Sequence, residues 1–313
     1  MSVCFEENKH IIYYWWNDNP NIKPHQDLKS PVILSIATLR SFHKNVPVTI
    51  FDISDFERPK EDWKDFQNIL NFDVVKTTTD LNTSSPRYWK LCSKIADISK
   101  NIQFLKEDNI VFVDSDIFFL QQIFPLKYEE QLDKNFYCYP HNTGFFYFNK
   151  NLESNKEIFE LWANTINKCL IDEDFFTEVC LKINDYSTKS LHDEISLRYL
   201  IKEKKINNIK NLDISESFVF NQTQIYAANY GRIDSENFLK LKHKIKFIHA
   251  MLIYNGPKRG LLCLIIEELK QAISKSLNAE LIKKIFRNDI VIPSYNIDLI
   301  IKMSHKQLYC LLN

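Results

Sequence analysis

The first 143 residues contain no glycine, and the whole chain of 313 has four: Gly144, Gly231, Gly256 and Gly260. Average usage would supply about 22. A phosphate-cradling P-loop, a dinucleotide-binding GxGxxG turn and a kinase glycine loop each need glycines beside a strand-to-helix turn, where a Cβ would keep the backbone from its ligand. None can be assembled from the four positions available.

What remains is an alternation of short apolar runs with amphipathic segments. Residues 10–17 (HIIYYWWN) read as a strand and 31–43 (PVILSIATLRSFH) as a helix opening on proline. A second strand over 47–54, a helix over 61–70 and a third strand over 72–78 follow. A long helix is expected over 84–106, with serine and proline of SSPRYWK in N-cap and N1 register. This order predicts an α/β fold with a mostly parallel sheet, ligands lying at the carboxyl ends of the strands. Residues 135–150 read as two short strands around a turn at Gly144, and 156–170 and 191–205 as helices. In the tail, Leu262, Ile265, Ile266, Leu269 and Ile273 recur at helical spacing, a packing stripe. One domain over 1–260 with a C-terminal helical extension over 261–313 packed on it is the expected organisation.

The segment NIVFVDSDIFFL, residues 109–120, sets two aspartates into an apolar run. Treated as continuously extended, it puts Phe112, Asp114 and Asp116 on one face. Two carboxylates together are costly to bury, since desolvation and repulsion both oppose ionisation. A cation, or the open end of a sheet, has to be close by.

Forty basic and forty acidic residues cancel, so the chain offers no global electrostatic case for nucleic acid or an anionic membrane. Seven scattered cysteines without a CxxC pair point to reduced thiols rather than a disulfide frame or zinc site. No apolar run approaches the roughly 18 residues of a membrane span, and the N-terminus lacks a signal-peptide pattern. A soluble, cytoplasmic protein is expected.

Five features occur in order: an arginine-bearing helix, the strand ending in Asp-x-Asp, an Asn-x-Gly-aromatic segment, an acidic helix start and a late His-Gly-Lys cluster. Together they resemble the metal-dependent glycosyltransferases of the GT-A fold. The likeness is greatest to the retaining family 8 type, which includes glycogenin and bacterial galactosyltransferases, and it covers roughly residues 8–260. Sugar nucleotidyltransferases are similar in having metal-binding aspartates, but open with a glycine-rich loop that this chain lacks.

The resemblance implies a Rossmann-like mixed sheet flanked by helices, a nucleotide-sugar donor (a UDP-sugar above all), a glycan, protein or other hydroxyl acceptor, and Mn²⁺ or Mg²⁺. A departing diphosphate needs a divalent cation and fixed positive groups. By the same resemblance Asp116 binds the metal, Asp114 shares metal and ribose, and His249 is the third protein ligand. Arg87 faces the donor sugar and phosphates, with Lys90 one turn on. Asn142 and Gly144 lie beneath the sugar, Asp193 bonds its hydroxyls, and Glu194 stands where the family often has glutamine near the anomeric carbon. Gly256 and Lys258 correspond to the β-phosphate loop, although their spacing from His249 exceeds the compact family pattern. Trp16 and Asn17 after the first strand and Asp52 on the second are the candidates for base and ribose. Competing readings are a haloacid-dehalogenase-like phosphohydrolase, which would want Thr or Val where this chain has Phe118, and a non-catalytic nucleotide-sugar-binding protein on the same fold.

Overall fold

The computed structural model describes residues 8–17, 19–24, 27, 31–78, 92, 94–125, 135–139, 142–184, 192–211, 217–220, 225–227, 231–232 and 246–250. Arg87, Lys90, Gly256, Lys258 and the whole extension over 261–313 lie outside them.

A seven-stranded sheet forms the centre. It contains β1 (Lys9–Trp15), β2 (Val48–Asp52), β3 (Asp73–Lys76), β4 (Asn109–Val113), β6 (Phe136–Tyr139), β7 (Asn142–Asn149) and β8 (Ile209–Asn211), in the order β3-β2-β1-β4-β7-β6-β8. The pairs β2–β3, β1–β2, β1–β4 and β6–β8 are parallel, while β7 runs antiparallel to both neighbours. The sheet is therefore mixed and mostly parallel, as expected. All seven residues of β1 are buried, the signature of a central strand covered on both faces, whereas edge strand β3 exposes Asp73 and Lys76.

Helices supply the cover. In α2 (Glu61–Leu70), Trp63, Phe66 and Leu70 fall on one buried face. Helix α1 (Val32–Arg40) is buried almost all round, and its Arg40 guanidinium donates to the carbonyls of Leu70, Asn71, His43 and Val46. On the opposite face lie α4 (Glu153–Ile171), α5 (Glu173–Ile183) and α6 (His192–Lys202). They close over Phe112, Phe136, Phe146 and Phe148. Phe112 and Phe146 are cross-strand partners whose rings stack at 4.5 Å.

Three expectations need correction. Residues 135–150 do supply two strands, but Gly144 lies within β7 and not at a turn between them. The helix predicted to run to residue 106 bends at Asp97 and resumes only as the short α3 (Ile98–Asn101). The aspartate segment is not one strand. Strand β4 stops at Val113, a turn closed by Ile117 N–H donating to the Asp114 carbonyl follows, and β5 (Ile117–Phe119) begins in another sheet. That second sheet has the order β11-β10-β9-β12-β5, with β9 (Ser217–Phe220), β10 (Ile225–Ala227), β11 (Gly231–Arg232) and β12 (Phe247–Ala250). The turn is thus the corner where the chain leaves one sheet for the other.

Candidate metal and donor site

The corner is pinned from two sides. The Asp114 N–H donates to the Gly144 carbonyl at 2.7 Å, one step past the last β4–β7 pair, Val113 with Phe145. Beyond the turn β5 pairs antiparallel with β12, and His249 faces Ile117. This register delivers the imidazole to the aspartates. His249 Nε2 stands 3.1 Å from Asp116 Oδ1 and 3.7 Å from Asp114 Oδ2. One donor atom from each of the three residues lies within 4.8 Å of the others. Both aspartates therefore converge on one point, but through the geometry of the turn and not through strand alternation.

A second charged group touches the first. Lys94, in the helical segment before Asp97 and 5% exposed, places its ammonium 3.0 Å from Asp114 and 3.4 Å from Asp193. Burial pulls its pKa down, yet the two carboxylates outweigh this and raise it, so Lys94 is a fixed cation. Asp193 opens α6 and accepts from Thr143 Oγ1 at 2.7 Å, while its main-chain carbonyl accepts from Trp162 Nε1 at 2.8 Å. Its carboxylate and backbone are therefore both held.

Electrostatics separate the acids. Burial raises Asp114, more than Lys94 and His249 lower it, and Asp116 adds to the rise. Asp116 is also pushed up by burial, but the charge and hydrogen bond of His249 outweigh it and hold the carboxyl below its ordinary range. For His249, burial lowers the pKa and the two aspartates more than restore it. Glu194 is pushed up to about 8, chiefly by burial and by Asp193, against the pull of Lys94 and His249. It carries a proton at neutral pH.

Two carboxylates and an imidazole make a donor set for a hard or borderline divalent ion, Mn²⁺ or Mg²⁺. Asp114 and Asp116 are about a quarter exposed while His249 is buried, so the open side of the cluster faces outward on the carboxylate side.

The remaining expected residues divide. Trp15 and Trp16 point to opposite faces: Trp15 packs edge-on against Trp63, and Trp16 packs against the helix-covered aromatic core. Asn17 and Asp52 are buried at the carboxyl ends of adjacent strands, on the same sheet edge as Asp114. Their polar atoms tie those loops together. Asn17 donates to Asp27 and receives the Asn19 N–H, and Asp52 accepts from the Ser54 N–H with Lys76 3.8 Å away. Asn142 begins β7 and Gly144 reaches Asp114 through its carbonyl. Sequence reasoning missed Lys94 and Thr143. For Lys94 a signal existed, since it follows Lys90 by four residues, a spacing that the predicted helix would put on one face; for Thr143 there was none.

No protein-family model and no curated protein matches the sequence. Among solved structures, the galactosyltransferase LgtC in complex with donor and acceptor sugar analogues aligns over 87% of this chain and 98% of that chain, with TM-score 0.50 at 11% identity. The fold is GT-A. The glycosyltransferase GlyE of Streptococcus pneumoniae TIGR4 aligns over 93% of this chain and 62% of its own, with TM-score 0.47 at 11% identity. Mouse xyloside xylosyltransferase 1 aligns over 77% and 96%, with TM-score 0.46 at 12% identity. Among the described residues of this GT-A domain, no helix is long and apolar enough to cross a membrane.

Proposed function

We propose that this GT-A domain is a metal-dependent glycosyltransferase, moving a sugar from a nucleotide-sugar donor, a UDP-sugar, to a glycan, protein or other hydroxyl acceptor with retention of configuration. The observation that carries the reading is the convergence of Asp114, Asp116 and His249 at the corner between two sheets, with Lys94 and Asp193 against it. A binding module would not need a desolvated cation wedged between two acids beside an open metal-type cluster.

Asp114, Asp116 and His249 hold Mn²⁺ or Mg²⁺, which when bound offsets the charge of the leaving diphosphate. The other work falls to the chain. Lys94 is the fixed positive charge beside Asp114, and its ammonium also pairs with Asp193. Asp193, held by Thr143, orients sugar hydroxyls as an acceptor of hydrogen bonds. Glu194, protonated at neutral pH, presents a neutral hydrogen-bonding group as a glutamine would. Arg87, Lys90, Gly256 and Lys258 complete the phosphate side on the strength of the sequence resemblance, and Trp16, Asn17 and Asp52 the nucleoside side.

Thermal scans with UDP, GDP, CDP or ADP, each with Mn²⁺, Mg²⁺ or EDTA, test this without knowledge of the acceptor. A ligand at a hundred times its Kd stabilises by about 2.7 kcal/mol, a shift of several degrees. UDP with Mn²⁺ is expected to lead. No metal-dependent shift with any nucleoside diphosphate would overturn the assignment; a GDP preference would keep the reaction class and change the donor.

A further inference from the structure

Among the described residues, strand β5 lies at the end of the five-stranded sheet, with β12 on one side. An edge strand leaves a row of backbone groups to be satisfied, and here helix α1 satisfies two of them. Ser35 Oγ stands 2.5 Å from the Ile117 carbonyl, and the Phe119 N–H donates to Thr38 Oγ1 at 3.0 Å. Ser35 and Thr38 are three residues apart, hence on one helix face, and both are fully buried. The surrounding residues of α1, Val32, Ile33, Ile36, Ala37 and Leu39, are apolar and buried. A hydroxyl buried among them without a partner would cost about 1–3 kcal/mol, so strand β5 accounts for their presence.

Ser35 Oγ also lies 3.1 Å from the Tyr13 hydroxyl. A serine has one proton and a carbonyl can only accept, so Ser35 donates to Ile117 and accepts from Tyr13. Thr38 donates back to the Ser35 carbonyl at 2.7 Å, which turns a lone pair of its Oγ1 towards Phe119.

Strand β5 is also where the two halves of the cluster meet. Asp116 directly precedes Ile117, and His249 faces Ile117 across the pair. We infer that Ser35 and Thr38 are positioning residues for the Asp114–Asp116–His249 cluster: by clamping the outer edge of β5 they set where Asp116 stands relative to His249. This rests on the reading of that cluster as a divalent-cation site. Neither hydroxyl touches the cation, and both act through the backbone on either side of Phe118.

The test is Mn²⁺ affinity, read from the electron paramagnetic resonance signal of free Mn²⁺, with melting temperature measured in parallel. Ser35→Ala and Thr38→Val should each weaken Mn²⁺ binding by about tenfold or more, the usual effect of removing a group that orients a ligand. Thr38→Ser keeps the acceptor and should stay near wild type. Ile36→Val removes a methylene from the same helix but no hydrogen bond, so it should lower the melting temperature and leave Mn²⁺ affinity unchanged. If wild type binds Mn²⁺ and both hydroxyl variants bind it equally well, the positioning role is overturned while the cation site stands. The role is equally overturned if affinity tracks melting temperature across all variants, Ile36→Val included. Wild-type protein that binds no Mn²⁺ overturns the cation site and the positioning role together. Should Thr38→Val fail to fold, Ser35→Ala, which leaves the Thr38 bond in place, carries the test.

Discussion

Lys94 and Asp193 meet 3.4 Å apart beneath the aspartate turn, both side chains less than a tenth exposed, with Asp114 on the other side of the same ammonium. Removing the cation strands two carboxylates, and breaking a buried pair by deleting one partner costs about 3–5 kcal/mol. Lys94→Met should therefore lower the unfolding free energy measured by urea titration by about 3–5 kcal/mol and abolish transfer. Adding Asp193→Asn should recover part of the stability and none of the activity, because it removes the stranded charge without restoring the cation. A Lys94→Met single variant as stable as wild type would show that solvent already compensates the acids.

The two aspartates should not be equivalent. Asp116 is the closer to His249, whose charge and hydrogen bond lower its pKa, so Asp116→Ala should eliminate Mn²⁺ binding and the thermal shift with UDP and Mn²⁺ while leaving a folded protein. Asp114→Asn keeps an oxygen at its position and should weaken binding less. Isothermal titration with Mn²⁺ distinguishes them, and equal losses would contradict the unequal roles.

The His249–Asp116 pair gives stability and metal binding opposite pH dependences. The folded-state pKa of His249 is raised, so its contribution is fully present below the unfolded value near 6.5 and is lost as pH rises through the folded one. That of Asp116 is lowered, so its contribution is present above about 3.9 and lost as pH falls through the folded value. Metal-free protein should accordingly gain most from the pair between about pH 4 and 6.5, and lose that gain at higher pH. Mn²⁺ affinity should instead rise with pH above 6.5, since a ligating imidazole must be neutral. Melting curves in EDTA and in Mn²⁺ from pH 5 to 9 measure both trends; an EDTA curve whose pH dependence is unchanged by His249→Asn would reject the pairing.

Glu194 opposes stability as the medium becomes basic. Its pKa is raised from 4.5 to about 8 in the folded protein, so the folded state binds the extra proton and loses stability as pH climbs across that interval. Glu194→Gln should be more stable than wild type at pH 8, with the advantage vanishing near pH 4.5. Transfer at pH 7 should survive, because both side chains are neutral there. Loss of transfer at pH 7 in a folded Glu194→Gln variant would mean that the carboxylate itself is needed.

Much of this architecture could be read from residue order. The helix over 61–70 and the strands expected over 10–17 and 47–54, present as β1 and β2, follow from local period and apolar content, and those signals survive folding because each element buries the face that its own sequence defines. Asp114, Asp116 and His249 were legible as a set through their resemblance to a known order of motifs. How they meet was not. Extended alternation put the acids together for a reason that the structure replaces with a turn, since a hydrogen bond from Ile117 to Asp114 ends the strand where apolar content alone would continue it. The break at Asp97 was equally hidden, helical propensity being only a weak local preference. Lys94, Thr143, Ser35 and Thr38 read along the chain as an ordinary helix cation and three unremarked hydroxyls. Only the packing of α1, α6 and the corner between two sheets assigns them partners, because a buried polar group takes its meaning from the atoms that satisfy it, and those atoms are distant in sequence.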